Sequence, residues 1–242
     1  MEEKVLDKAR IVNLYNNMAE IWPNNDKWYC FTYKNVKEYI CHFAKHHFFS
    51  SDYKIINIGS AGNEYNLPGD HYPVDVAEEK IKNCKRKFVC SAENLPFNPS
   101  YFDMALCVGS VINYCDALQV VSEISRVLKK GAHCILDFEQ SRSYQFAGIC
   151  YNKPAHIIKS FNSGSDDMIW VYSEETIRSY CELHGFRIIN KRYFHLISPL
   201  AYRICKDENK ASKYACMDKF LNKIPFIRRI SCNVILTMQK IS

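Results

Sequence analysis

Apolar and polar positions alternate along this chain with two periods, and the change between them marks the elements. Over residues 3–20, Val5, Ala9, Val12, Tyr15 and Ala19 recur at three- and four-residue spacing, which predicts an amphipathic helix. Trp22-Pro23-Asn24-Asn25-Asp26 breaks it. From Tyr33 to Phe48 a second helix is predicted, with Val36, Ile40, Phe43 and His47 on one face. Tyr53–Ile58 is a short apolar run that reads as a buried strand and breaks into Gly59-Ser60-Ala61-Gly62. His71–Val76 predicts a second strand, Ala77–Lys87 a helix, and Lys87–Cys90 a third strand. The Leu95–Pro99 stretch is a loop, and Met104–Val108 a fourth strand closed by Gly109-Ser110. Asp116 reads as the N-cap of a helix with Leu118, Val121, Ile124 and Leu128 inward. Lys129 and Lys130 suit that helix's C-terminal dipole, and Gly131 its cap. His133–Phe138 predicts a fifth strand, and residues 140–172 read as irregular and aromatic. Ser173 caps a helix ending at Gly185, and Phe186–His195 reads as a sixth strand. A helical insertion at about 200–224 carries Tyr214, Met217, Phe220 and Leu221, and Cys232–Met238 is the last strand.

Strands alternating with helices predict an α/β fold, a mostly parallel sheet with helices on both faces. Ligands of such sheets bind beyond the carboxyl ends of the strands. The loops after Ile58, Val74, Cys90, Val108 and Phe138 are therefore expected to meet in one crevice. Residues 1–50 form an N-terminal helical extension, either a lid over that crevice or a packing element. Residues 51–242 form the main domain, with insertions at about 140–172 and 196–228.

Composition narrows the class. At 242 residues, with 48% hydrophobic and 24% charged, the chain has the make-up of a globular domain with a sizeable core. Its net charge of +6 comes from scattered Lys and Arg without a long basic stripe, so nucleic acid is disfavoured as a partner. Twelve cysteines show no zinc-knuckle spacing, and several sit in apolar runs as small hydrophobes. His42, His46 and His47 lack acidic or cysteine partners at ligand spacing, so no metal site is expected. No apolar stretch is long enough to span a membrane and the first residues are charged, which makes a reduced, cytoplasmic protein the expectation.

Set side by side, several pieces are similar to one family. Ile58-Gly59-Ser60-Ala61-Gly62, Val74-Asp75-Val76, Ala92-Glu93-Asn94-Leu95-Pro96-Phe97, Phe102-Asp103 and Glu123–Gly131 together resemble the class I S-adenosylmethionine-dependent methyltransferases, closest to their "type 11" domain. The match covers roughly 53–140. The resemblance implies a Rossmann-like seven-stranded sheet whose last strand is antiparallel. It implies S-adenosylmethionine as cofactor and S-adenosylhomocysteine as its product. Gly59, Ser60, Ala61 and Gly62 would then pass under the methionine portion and Asp75, with Val76, would take the ribose. Ala92 and Glu93 would sit by the adenine, and Gly109 and Ser110 by the methyl group. Asn57 stands where the family carries an acid, Ala61 where it carries its middle glycine, and Asn63 where it carries a further glycine.

Methyl transfer from a sulfonium needs orientation, exclusion of water and, for some acceptors, removal of a proton. His195, Asp137 and Glu139 are the candidate bases, each with a structural alternative. Asp116 is better read as a helix cap. Tyr15, Trp22, Trp28, Asn113 and Tyr114 are candidates for cofactor cover and the acceptor pocket, with core packing the alternative for the aromatics. The expected function is methyl transfer to a small molecule, oxygen ahead of nitrogen, by a monomer or homodimer. The alternatives are an RNA or protein methyltransferase, a NAD-binding oxidoreductase and a binding protein that keeps the fold without catalysis.

Overall fold

β1 (Lys54–Ile58) is the centre of the molecule: Ile55, Ile56 and Ile58 are all fully buried, because the strand is covered on both faces. The structure is a computed structural model describing residues 7–47, 51–162 and 165–242. β2 (Asp70–Asp75) and β4 (Phe102–Cys107) flank β1 in parallel, so that Ile58 lies level with Val74 and Cys107. β3 (Phe88–Val89) lies outside β2, and β5 (Leu128–Glu139) beyond β4, both parallel. β8 (Phe186–Phe194) ends the sheet, and β9 (Asn233–Lys240) enters antiparallel between β5 and β8. The order is β3-β2-β1-β4-β5-β9-β8. The strand order reverses between β1 and β4, and a crevice opens there beyond the carboxyl ends.

Helices cover both faces. On one, α2 (Lys27–His46) lays Val36, Ile40 and Phe43 against Ile55, Leu106 and Ile135. On the other, α4 (Ala117–Val127) and α5 (Glu174–Leu183) bury Val121, Ile124 and Ile177 over Ile56, Ile58 and Leu136. α1 (Lys8–Asn17) precedes them, and α3 (Glu78–Ile81) follows β2. No helix among the described residues is long and apolar enough to cross a membrane.

Several expected boundaries move. Asp26 belongs to a helix start rather than a break: its carboxylate accepts from the Trp28 and Tyr29 amides, so α2 begins six residues before Tyr33. Its predicted end at Phe48, and residues 3–6 of the first predicted helix, lie outside the described residues. In α1 the buried residue is Ile11, while Ala9 is exposed. α3 is only four residues long, because the Lys82–Lys87 stretch offers little but like charges and no apolar face to dock. Leu118 points outward, leaving Val120, Val121 and Ile124 to fill the core. α4 ends at Val127 and β5 starts at once. Gly131 (φ +84°) serves an irregularity in β5 where pairing with β4 shifts, and Lys129 pairs with Asp103 at 2.6 Å.

The stretch 140–172 is not irregular throughout. β6 (Ala155–Asn162) and β7 (Ser165–Tyr172) form an antiparallel hairpin outside the main sheet. The later insertion contains α6 (Ile197–Cys205), α7 (Glu208–Ala211), α8 (Asp218–Leu221) and α9 (Pro225–Arg228). Tyr214, Met217 and Phe220 are exposed on it.

Candidate active site

The first wall of the crevice is the loop after β1. Gly59 has φ +63°, and a Cβ there would lie 2.2 Å from Val111 Cγ2, so only glycine fits. Ser60 N–H donates to the Val74 carbonyl at 3.0 Å and Asn63 N–H to the Ser60 carbonyl at 2.8 Å, which pins the loop to β2. Gly62 N–H donates to Ser60 Oγ. Asp75, at the tip of β2, accepts from the Ala61 N–H and the Ala77 N–H, both at 2.9 Å, one on each oxygen. Each carboxylate oxygen keeps a further lone pair, and burial raises the carboxyl above its ordinary value. Asn57 is buried beneath, its amide donating to the Asn63 carbonyl and its Oδ1 without a partner among the described residues.

This loop, the ends of β2 and β3 and the roof helix α1 enclose a cavity of about 160 Å³. Gly59, Ser60, Ala61, Asp75, Val76 and Ala92 line it, as do Ile11, Val12, Tyr15 and Met18 from above. Asn57, Gly62 and Glu93 do not line it. Glu93 instead ties the roof down: its carboxylate pairs with Lys8 of α1 and accepts from the Asp116 N–H. Asn16 Oδ1 accepts from the Glu79 N–H at 3.1 Å, a second tie.

Gly109 and Ser110 form the turn after β4, both with positive φ (+91° and +59°). Both amides donate to Asp137 Oδ1. Asp137 is thus fully buried and holds the turn, and burial pushes its carboxyl up to about 6. It lines neither cavity described here.

Past Gly109 a second cavity of about 110 Å³ opens. Tyr15, Trp22, Tyr29, Gly109 and Tyr114 border both, so the two share a wall. Tyr15 and Tyr114 meet edge to face at 5.7 Å. Glu139, at the end of β5, and Glu208, in α7, line the second cavity with Ser110, Trp28, Asn113 and Asn233. Burial, then Glu208 and Asp137, push the Glu139 carboxyl up to about 7. Burial, then Asp26 and Asp207, push Glu208 to about 7 as well. Asn113 is fully committed: its amide donates to the Glu139 and Trp170 carbonyls and accepts from the Glu139 N–H. His195 lines neither cavity. It is buried, bonded to Thr32 Oγ1 at 2.9 Å and stacked on Trp28 at 4.1 Å, and burial holds its imidazole neutral, down to about 3.

Residues 59–136, the span that builds the glycine loop, Asp75 and the β4 turn, match the family model described as a methyltransferase domain. That span is a methyltransferase domain. The fold of the chain is similar to that of a geranyl diphosphate C-methyltransferase from Streptomyces coelicolor A3(2), crystallised with Mg2+, geranyl diphosphate and S-adenosyl-L-homocysteine. That likeness has 12% identity, covers 96% of this chain and 97% of that one, and has a TM-score of 0.60. It is similar also to the 1,6-didemethyltoxoflavin-N1-methyltransferase of Burkholderia thailandensis, with 12% identity, coverage of 97% and 87% and a TM-score of 0.58. A third likeness is to an S-adenosylmethionine-dependent methyltransferase from Clostridium acetobutylicum ATCC 824, with 15% identity, coverage of 97% and 99% and a TM-score of 0.55. No curated protein matches the chain by sequence.

The methyltransferase cofactor is S-adenosylmethionine, and the first cavity fits it in three respects. It has a glycine cradle at Gly59, a carboxylate with free lone pairs at Asp75, and apolar cover from α1. Sequence reasoning missed Tyr29, Glu208 and Asn233. Glu208 stands in the charged run Lys206–Lys210, which reads as solvated surface, and Asn233 opens a strand whose burial hides its polar side chain.

Proposed function

We propose that this methyltransferase binds S-adenosylmethionine in the first cavity and methylates a small molecule held in the second. The observation that supports this reading is the shared wall at Gly109, Tyr15 and Tyr114, which brings a polar cavity to the β4 turn. Gly59, Ser60, Ala61 and Gly62 would carry the methionine portion, with Asn57 bracing the loop. Asp75 and Val76 would hold the ribose, Ala92 the adenine edge with Glu93 behind it, and Gly109 and Ser110 the methyl end. The cofactor supplies a methyl group already activated by the sulfonium charge. The protein's part is then to align acceptor and donor, keep water out and receive a proton. Asp137 fixes the turn, Asn113 and Tyr114 shape the acceptor wall, and Glu139 is the carboxylate at the acceptor itself. A small acceptor is favoured over RNA or protein because Tyr15, Trp22, Trp28 and Tyr29 of the N-terminal segment, with Glu208 of α7, line the cavity. The compartment that suits the chain is the cytoplasm, and the unit a monomer or homodimer.

Incubation with methyl-labelled S-adenosylmethionine and separate small-molecule, RNA and protein fractions tests the reading. Label is expected in a small molecule, with S-adenosylhomocysteine formed in step. Label confined to RNA or protein would overturn it.

A further inference from the structure

The charge of the second cavity names the class of its ligand. Two carboxylates, Glu139 and Glu208, line it together with the rings of Tyr15, Trp22, Trp28, Tyr29 and Tyr114. Among the described residues no lysine, arginine or histidine lines it. In a chain of net charge +6, this is a local reversal of sign. Asn233 adds an independent feature. It is 3% exposed, stands opposite Glu139 in the β5–β9 register and lines the same cavity, so it adds an amide donor and acceptor beside that carboxylate.

We infer, on the reading that this cavity is the acceptor site, that its substrate is a small aliphatic amine, bound as a cation between Glu139, Glu208 and the aromatic rings. Carboxylates supply the opposite charge, and ring faces attract an ammonium by their quadrupoles. An anionic or phosphorylated acceptor would meet two carboxylates and no counter-charge. The upward push on both carboxyls agrees, since a bound cation is what would relieve it. The expectation of an oxygen acceptor rests on no residue, whereas this cavity favours nitrogen.

The chemistry balances. An ammonium has no lone pair, so it first gives one proton to the Glu139 carboxylate. The freed nitrogen lone pair forms the N–C bond as the C–S bond breaks with its electrons going to sulfur. The product is again an ammonium, one methyl larger, and the proton passes from Glu139 to solvent.

The test uses the full-length protein saturated with S-adenosylhomocysteine and two probes of equal shape, choline and its uncharged isostere 3,3-dimethylbutan-1-ol. Calorimetry is expected to give choline at least about tenfold tighter binding than the alcohol. In the Glu139→Gln/Glu208→Gln variant, which must still bind S-adenosylhomocysteine to count as folded, that preference should fall below about threefold. Equal binding of the two probes, binding of neither, or a preference kept in a folded variant overturns the inference. If S-adenosylhomocysteine itself fails to bind the wild type, the donor reading falls and takes this inference with it. If it binds and choline does not, this inference alone falls.

Discussion

Gly59 is where sequence and site meet most tightly. Its positive φ and its 2.2 Å clearance from Val111 leave no room for a methyl group. Gly59→Ala should destabilise the protein by about 2–4 kcal/mol, part backbone strain and part overpacking. Adding Val111→Ala should recover about 1 kcal/mol of that, a coupling that denaturant unfolding of the double-mutant cycle would measure. Two independent losses that simply add would refute the packing account. Glu139 carries the pH dependence. Folded, it titrates near 7 against an ordinary value of 4.5, with Glu208 and Asp137 facing it and Tyr29 close by. Between those two values the folded form holds a proton that the unfolded chain has released. Stability without ligand therefore falls as pH rises through this window. Glu139→Gln removes this residue's share of the effect, with Glu208 and Asp137 keeping theirs, so its melting temperature should exceed wild type at pH 8 by more than at pH 5. The difference should be on the order of 1–3 kcal/mol, a few degrees for a chain of this size. An equal offset at both pH values would contradict it.

At the scale of elements, α1 and α2 divide the work that the sequence left open between lid and packing. α2 is a core helix, with Val36 and Ile40 fully buried, and only its first turns reach the second cavity through Trp28, Tyr29 and Thr32. α1 buries only Ile11, and it covers the first cavity. Deleting residues 1–18 should thus keep the fold and weaken S-adenosylhomocysteine binding by about tenfold or more, since it removes most of the apolar roof. Circular dichroism and calorimetry on the same sample would check both halves. Unchanged affinity would show that α1 is no lid. The strands were legible because a doubly covered strand needs a continuous apolar run, as in Ile55–Ile58 and Met104–Val108. The β6–β7 hairpin was not, because its strands mix apolar residues with Lys159, Ser160, Asp166 and Asp167 and lie outside the main sheet. The length of α3 was overread because helix propensity in Lys82–Lys87 has nothing to pack against.

For the whole molecule, sheet order sets the site. The reversal at β1 and β4 brings the glycine loop, Asp75 and the β4 turn to one edge, and these were legible because each sits directly after a readable strand. The second cavity was less so. Glu208 and Asn233 reach it from α7 and β9, elements distant in sequence from the family-matched span, and only the three-dimensional chain shows that they face Glu139. His195 shows the opposite failure, since a histidine at a strand end suggests a base but its burial against Trp28 makes it a packing residue. If Asp75 and the loop it braces hold the cofactor, calorimetric titration of S-adenosylhomocysteine into wild type and Asp75→Ala will separate the two proteins. Wild type should bind with a dissociation constant on the order of micromolar, and the variant about 10- to 100-fold more weakly, the worth of hydrogen bonds to a charged group. Saturable binding of equal strength in both, or no heat with wild type, would contradict the account.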